Sequence, residues 1–386
     1  MDFSQVNNRK GTYSTQWDFT VDRFGRHGVL PFSISDTDFK VPEEIQTALS
    51  KLVEKGIFGY SRWNHPDFFH ALKYYFETRH QTDITGLQFL YSPSVMYSVS
   101  LLIRKLSQEG NSVVAFSPMY DAFYRVIEEN NRNLLEVKLV KKEGKYEVDF
   151  TAFEEAIKDA SVFLLCSPHN PTGRVWRRDE LEEMVRICQT YQVAIISDEI
   201  HSDIILFGNK HTPILDVSQA DGIYLVSSAS KTFNTASLIG SYVILNNQQV
   251  YDAFMKETRH QNFLNSVSLL GMEAMIVGYQ ESAAYIDDLV NYIEGNFEYT
   301  IQRLNEISPK LKLALPEATY LAWIDVSELD ITESNLQDLL INKGNVGIMS
   351  GINYGDASYL RMNIGCPRSK LEEGLNRVEK ALHSKI

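Results

Sequence analysis

Short apolar runs alternate with amphipathic segments from about residue 88 to 260, and this rhythm narrows the architectures open to the chain. Runs that read as strands are Gln88–Tyr91, Ser112–Phe116, Leu134–Val140, Phe163–Cys166, Ala194–Ser197, Ile223–Ser227 and Tyr242–Leu245. Helical patterns lie between them at Val95–Gln108, Tyr120–Asn130, Phe150–Lys158 and Arg178–Tyr191. Strand–helix alternation predicts an α/β fold whose mixed, mostly parallel sheet is covered by helices on both faces. Ligands of such sheets bind at the carboxyl ends of strands. The polar residues that follow each apolar run are therefore the candidates for chemistry.

The chain has 386 residues, 44% of them hydrophobic, which predicts two domains with well-filled cores. The boundaries expected are 46–280 for a large domain, and 1–45 with 281–386 for a smaller α+β domain. The second is read from apolar runs at Thr319–Val326, Val346–Met349 and Tyr359–Ile364, with helical patterns at Glu333–Lys343 and Lys370–Ser384. Residues Gln261–Asn305 read as helices leaving the core. A net charge of −13 and the lack of any basic run argue against nucleic acid, and weakly against an anionic membrane. Cys166, Cys188 and Cys366 are odd in number and fit no zinc spacing, so reduced thiols and no metal are expected. The start lacks an apolar segment behind basic residues, and no run reaches the ~18 apolar residues of a membrane span. A cytoplasmic enzyme is the expectation.

Three strand-end motifs carry chemistry. Ser228, Ser230 and Lys231 follow Ile223–Val226, putting an amine among hydroxyls that could hold a phosphate. Asp198 follows Ala194–Ile196, at a depth where a lone carboxylate costs several kcal/mol and needs a cation. Asn170 precedes Pro171, which holds it out of the helical region. An amide, a carboxylate and an amine in that order are the set that pyridoxal 5′-phosphate (PLP) requires. The lysine forms a Schiff base, the aspartate keeps the pyridine nitrogen protonated, and the asparagine binds the ring oxygen. Tyr120, after Ser112–Phe116, could stack on the ring. His201 either buttresses Asp198 or the ring, or only fills a packing site. Glu199 and Asp203 read as structural. Arg361 is a charge inside the apolar run Tyr359–Ile364 and suits a substrate carboxylate; a structural ion pair is the bland alternative.

Further strings extend the pattern: Arg9-Lys10-Gly11-Thr12 with Trp17-Asp18, Ser35-Asp36-Thr37-Asp38-Phe39, Phe58-Gly59-Tyr60, Ser230-Lys231-Thr232-Phe233-Asn234, and the stretch from Arg361 to Arg368. Together these resemble the fold-type I PLP enzymes, the aspartate aminotransferase superfamily, across essentially the whole chain. Within it the chain is most similar to the cystathionine β-lyase or C–S lyase subgroup. The resemblance implies a homodimer with a shared active site, in which Tyr60 reaches the phosphate of the partner subunit's cofactor. It also implies that the amides after Ser94, those of Val95 and Met96, hold the phosphate. Phe39 and the acidic pair before it would line the substrate entrance.

The sequence departs from the subgroup at Ser35 and Thr37, at Ser94 and at Ser237. Eight residues after the lysine, where aminotransferases generally have Arg, stands Ile239. These changes bear on substrate preference and on the phosphate cup. The reaction expected is β-elimination, releasing pyruvate, ammonia and a thiol (homocysteine from cystathionine, hydrogen sulfide from cysteine). An aminotransferase is the alternative, sharing the early steps but reprotonating the cofactor carbon. A regulatory protein that keeps the fold and binds a transcription factor is a third reading.

Overall fold

The computed structural model describes residues 1–142 and 144–384. Seven strands form the main sheet: β1 (Gln88–Ser92), β2 (Ser112–Ser117), β3 (Asn133–Lys138), β4 (Ala160–Cys166), β5 (Ala194–Asp198), β6 (Ile223–Ser227) and β7 (Ser241–Leu245). Their spatial order is β1-β7-β6-β5-β4-β2-β3. The strands from β2 to β6 pair in parallel, and β7 runs antiparallel to both β1 and β6. The mixed, mostly parallel sheet expected from the sequence is present.

Alternate residues of each strand feed two cores. Val113, Ala115, Val162, Leu164, Ile196 and Val226 pack on one face with Val99, Leu102 and Phe123. Val114, Phe116, Phe163, Leu165, Ile195 and Leu225 pack on the other with Leu72, Leu181 and Met275. Strands buried on both faces read as near-continuous apolar runs, which is why they were visible in the sequence. The edge strand β3 differs: Asn133, Glu136 and Lys138 are exposed, and charge on an edge discourages pairing with other chains.

Two expectations are corrected. The run Leu134–Val140 is not one strand. It leaves the sheet after Lys138, where the Leu139 N–H makes the last bond to β2 on the Ser117 carbonyl (2.9 Å), and Val140–Lys142 pairs with Lys145–Glu147 as a separate hairpin. The stretch Gln261–Asn305 does not simply leave the core. Its first helix, Leu269–Glu281, is largely buried, and Gly278 is what lets it approach: a Cβ there would lie 2.7 Å from the Phe233 ring.

A second, antiparallel sheet has the order β8 (Leu321–Asp325), β10 (Tyr359–Asn363), β9 (Met349–Ser350). Its central strand puts Arg361 opposite Trp323 and Met349. The amino-terminal segment joins this part of the molecule, with Leu30–Pro31 in parallel register with Val346–Gly347. Among the described residues no helix is long and apolar enough to cross a membrane, and the three cysteines are buried and unpaired.

Candidate active site

The strand ends of β4, β5 and β6 converge as their parallel order requires. In β4 and β5, Cys166 is in register with Asp198, and Asp198 in turn with Val226 of β6. Beyond Cys166 the chain makes a tight turn, closed by the Gly173 N–H on the His169 carbonyl (2.8 Å), which presents Asn170. Gly173 is required there. Its φ is +69°, and a Cβ would lie 2.9 Å from the Ala318 carbonyl oxygen. Beyond Ser227 a compact turn carries Lys231, fixed by Phe233 N–H to Ala229 (3.0 Å) and Thr235 N–H to Ser230 (3.1 Å).

These turns surround a cavity of about 200 Å³. Val95, Met96, Tyr120, Asn170, Asp198, His201, Ser228, Ser230 and Lys231 all line it. Lys231 Nζ donates to the Ser35 carbonyl at 2.7 Å. Burial lowers its pKa, with Arg361 adding to the effect while Asp36 and Asp198 oppose it. Asp198 is buried, its Oδ1 accepts the Ile200 N–H (3.2 Å), and burial pushes its pKa up to about 7, with the Lys231 charge opposing the rise. Among the described residues no cation, which would keep it ionised, is hydrogen-bonded to this carboxylate. His201 is neutral, since burial first and then Lys231 and Arg361 push its pKa down to about 3; its Nδ1 has no partner among the described residues. It does not contact Asp198 through a hydrogen bond among the described residues; its ring faces Tyr320 edge-on at 6.2 Å. Tyr120 is mostly enclosed, and burial raises its phenol to about 12.

At the other end of the cavity the helix Val95–Leu106 begins. Ser94 caps it by accepting the Tyr97 N–H (3.2 Å). The N–H groups of Val95 and Met96 precede the first intrahelical bond, so this end is an anion site by its geometry and its dipole. Ser94 therefore keeps the cap that glycine would lack. The hydroxyl of Ser228 is already committed: it donates to the Gly240 carbonyl (2.6 Å) and accepts the Ser230 N–H (3.1 Å). The Ser230 hydroxyl makes no such bond among the described residues.

Arg361 lies beside the cavity. Its guanidinium donates to Asn170 Oδ1 (3.1 Å) and to the Ser33 carbonyl (3.0 Å), and stacks over the Tyr354 ring at 4.3 Å. Its Nε has no partner, and no carboxylate pairs with it among the described residues. The structural ion pair is thus not formed; a buried cation is held only by neutral groups.

Three expected residues stand apart. Phe39 does not line the cavity. Its ring is buried edge-on against Phe3 (4.9 Å) and Tyr292 (5.6 Å), because an aromatic side chain gains more from that cluster than from a polar cleft. Asp38 is likewise structural, bound by Arg9, Trp17 and Lys370. Tyr60 is 98% exposed and is not among the residues that line this chain's own cavity. Ser35 was missed. The strap of residues 33–39 is fastened by its carbonyls: Ser33 to Arg361, Ser35 to Lys231 and Tyr320, Thr37 to Arg9 and Asn234. Asn234, three residues after the lysine, was the available signal.

The family model for aminotransferase class I and II matches residues 27–378. The chain belongs to that family. Protein MalY of Escherichia coli (strain K12) is 41% identical over 387 residues, covering 99% of this chain and 99% of that protein. Cystathionine beta-lyase PatB of Bacillus subtilis (strain 168) is 35% identical over 390 residues, covering 99% of this chain and 100% of that protein. Among solved structures, cystalysin from Treponema denticola, which contains a pyridoxal 5′-phosphate cofactor, superposes with a TM-score of 0.93 at 30% identity, covering 100% of this chain and 99% of that one. For this aminotransferase-family chain the donor set fits PLP. A buried carboxylate with no cation hydrogen-bonded to it among the described residues, a lysine of lowered basicity, an amide and a helix start for a phosphate all line one cavity.

Proposed function

We propose that this chain is a PLP-dependent C–S β-lyase, which cleaves cystathionine, or cysteine itself, to pyruvate, ammonia and a thiol. The observation that carries it is the pair Arg361 and Lys231 beside one cavity. A buried guanidinium without an acidic partner awaits a carboxylate, and an amine of lowered pKa can accept a proton. The names of the relatives MalY and PatB, and of cystalysin, support the reading.

Bound PLP supplies an electron sink for negative charge developing at the substrate's α-carbon. Lys231 would anchor it, and its Nζ would take the α-proton. Asp198 would hold the proton on the ring nitrogen, Asn170 the ring oxygen, and Tyr120 the ring face. The Val95 and Met96 N–H groups and the Ser230 hydroxyl would hold the phosphate. The Arg361 fork would orient the amino-acid carboxylate. The Cα–H and Cβ–S bonds break, the sulfur leaves with the electron pair, and water completes the conversion to pyruvate and ammonia. With cysteine the thiol is hydrogen sulfide.

The cavity lies between a larger part, 46–280, which contributes Lys231, Asp198 and Asn170, and a smaller part, 1–45 with 281–386, which contributes Ser35 to its lining and sets Arg361 beside it. Two copies complete it. The exposed loop of Ile57, Phe58 and Tyr60 supports this. It is tied by Ser61 to Ser266 and Val267, beside exposed Phe263 and Leu264, and apolar loops of this size mark an interface. Three buried free thiols suit a cytoplasmic setting.

The deciding experiment incubates PLP-loaded protein with cystathionine and follows pyruvate, without and with a keto-acid acceptor. Pyruvate without acceptor is expected. Product that forms only with an acceptor makes the chain a transaminase and overturns the proposal.

A further inference from the structure

Asp203 is 3% exposed and lies five residues past Asp198. Its Oδ2 accepts the Thr232 hydroxyl at 2.6 Å and its Oδ1 the Tyr75 hydroxyl at 2.8 Å; Arg79 Nε lies 3.9 Å away. Thr232 is itself buried and directly follows Lys231. The carboxylate therefore joins two loops that the backbone leaves largely separate. The loop after β5 is closed on itself by Ser202 N–H to Glu199 and Ile204 N–H to His201. The Lys231 turn is closed on itself by its bonds to Ala229 and Ser230. The other side-chain tie between them, the Ser227 hydroxyl on the Glu199 carbonyl (3.1 Å), lies at the strand end, before the turn begins.

We infer that Asp203 is a positioning residue for the proposed reaction: acting through the Thr232 hydroxyl, it fixes the turn of Lys231 relative to Asp198. This rests on the PLP reading above. The physical reason is one of distance. Lys231 Nζ must serve both the cofactor and the substrate's α-proton, and a proton-transfer group displaced by ~1 Å loses up to ~10²-fold in rate. A side-chain tie of 2.6 Å next to the lysine limits that displacement. A buried carboxylate is an expensive way to fill a core, and an apolar pair would pack as well. Tyr75 completes its ligation and is itself held by His80 Nε2 at 3.0 Å.

The test uses Thr232→Val, which keeps the shape and deletes the hydroxyl, with Thr232→Ser as the rescue and Asp203→Asn as a second arm. Each full-length protein is stripped of PLP, reloaded, and followed by visible absorbance, by steady-state kinetics and by thermal unfolding. For Thr232→Val we expect kcat lower by about 10-fold to 100-fold, KM within about twofold, and slower cofactor uptake. Thr232→Ser should recover both, and Asp203→Asn should move both in the direction of the Val variant. If Thr232→Val melts earlier but keeps wild-type kcat and uptake, the tie is only structural and the inference is overturned. A wild-type protein that takes up no PLP overturns the cofactor reading and this inference together. A wild type that loads normally beside an unaffected Thr232→Val overturns this inference alone.

Discussion

Asp198→Asn separates stability from function, and its effect should change sign with the cofactor. In the cofactor-free chain the buried carboxyl has its pKa raised from 3.8 to about 7 by desolvation. At about 1.4 kcal/mol per pH unit this amounts to about 4 kcal/mol. A group whose folded pKa is raised contributes stability that is fully present below the unfolded pKa and is lost as pH rises through the folded one. The cofactor-free wild type should therefore weaken progressively between pH 4 and pH 7. Asn keeps the shape and can still accept the Ile200 N–H, but carries no charge to desolvate. The variant should match the wild type near pH 4 and exceed it by up to about 4 kcal/mol at pH 8, relaxation lowering the figure. Urea unfolding of both cofactor-free proteins across that range measures it. With PLP bound the order reverses, because the carboxylate gains its cation; turnover of the variant should fall by about 10²-fold or more. A stability difference that does not vary with pH, or near-normal turnover in the variant, refutes the reasoning.

Three other outcomes are expected. Arg361→Ala should lower kcat/KM by about 10²-fold or more while leaving the visible absorbance of the loaded protein intact, and Arg361→Lys should recover only part, since a point charge cannot reproduce the fork; an unchanged kcat/KM counts against the carboxylate role. Mixing inactive Lys231→Ala with an impaired Tyr60→Phe protein should restore activity once subunits exchange, and failure despite confirmed exchange removes Tyr60 from the partner's site. Ile239 holds φ at +59° while half exposed, a conformation costly for a β-branched side chain. Ile239→Gly should raise thermal stability by about 1 kcal/mol, and a loss of stability shows that the Ile contacts outweigh the strain.

The sheet and its strand-end chemistry were legible because both depend on local pattern. Double burial writes each strand as an apolar run, and the residue after the run has one place to go. Asn170, Asp198 and Lys231 follow directly. Arg361 was legible for the opposite reason, as a charge where the pattern demanded none. Its surroundings were not, because the Ser33 carbonyl and Asn170 that hold it come from distant segments. The strap of residues 33–39 has no periodicity at all. Its order comes from side chains of Arg9, Asn234, Tyr320 and Arg361 reaching its carbonyls, and such bonds leave no mark on the strap's own composition. Phe39 shows the converse: likeness to a motif set it at the entrance, while plain hydrophobicity puts it against Phe3 and Tyr292.

The same contrast explains why the site looks unfinished in one chain. Among the described residues Asp198 has no hydrogen-bonded cation, Arg361 no anion and His201 Nδ1 no partner, and Tyr60 stands in water. Each is a cost that a core designed only for stability would avoid. Other buried polar atoms, such as Asp36 Oδ1 and His211 Nδ1, also lack partners among the described residues, but the charged groups Asp198 and Arg361 meet at one cavity, whereas the nearby carboxylates Asp38, Glu199 and Asp203 are ligated by their own chain. A polar group left unsatisfied beside satisfied ones of the same type marks where something else is to be bound. On that ground we assign Asp198 and Arg361 to ligands, Tyr60 to a second subunit, and Asp203 to the frame that holds Lys231 in place.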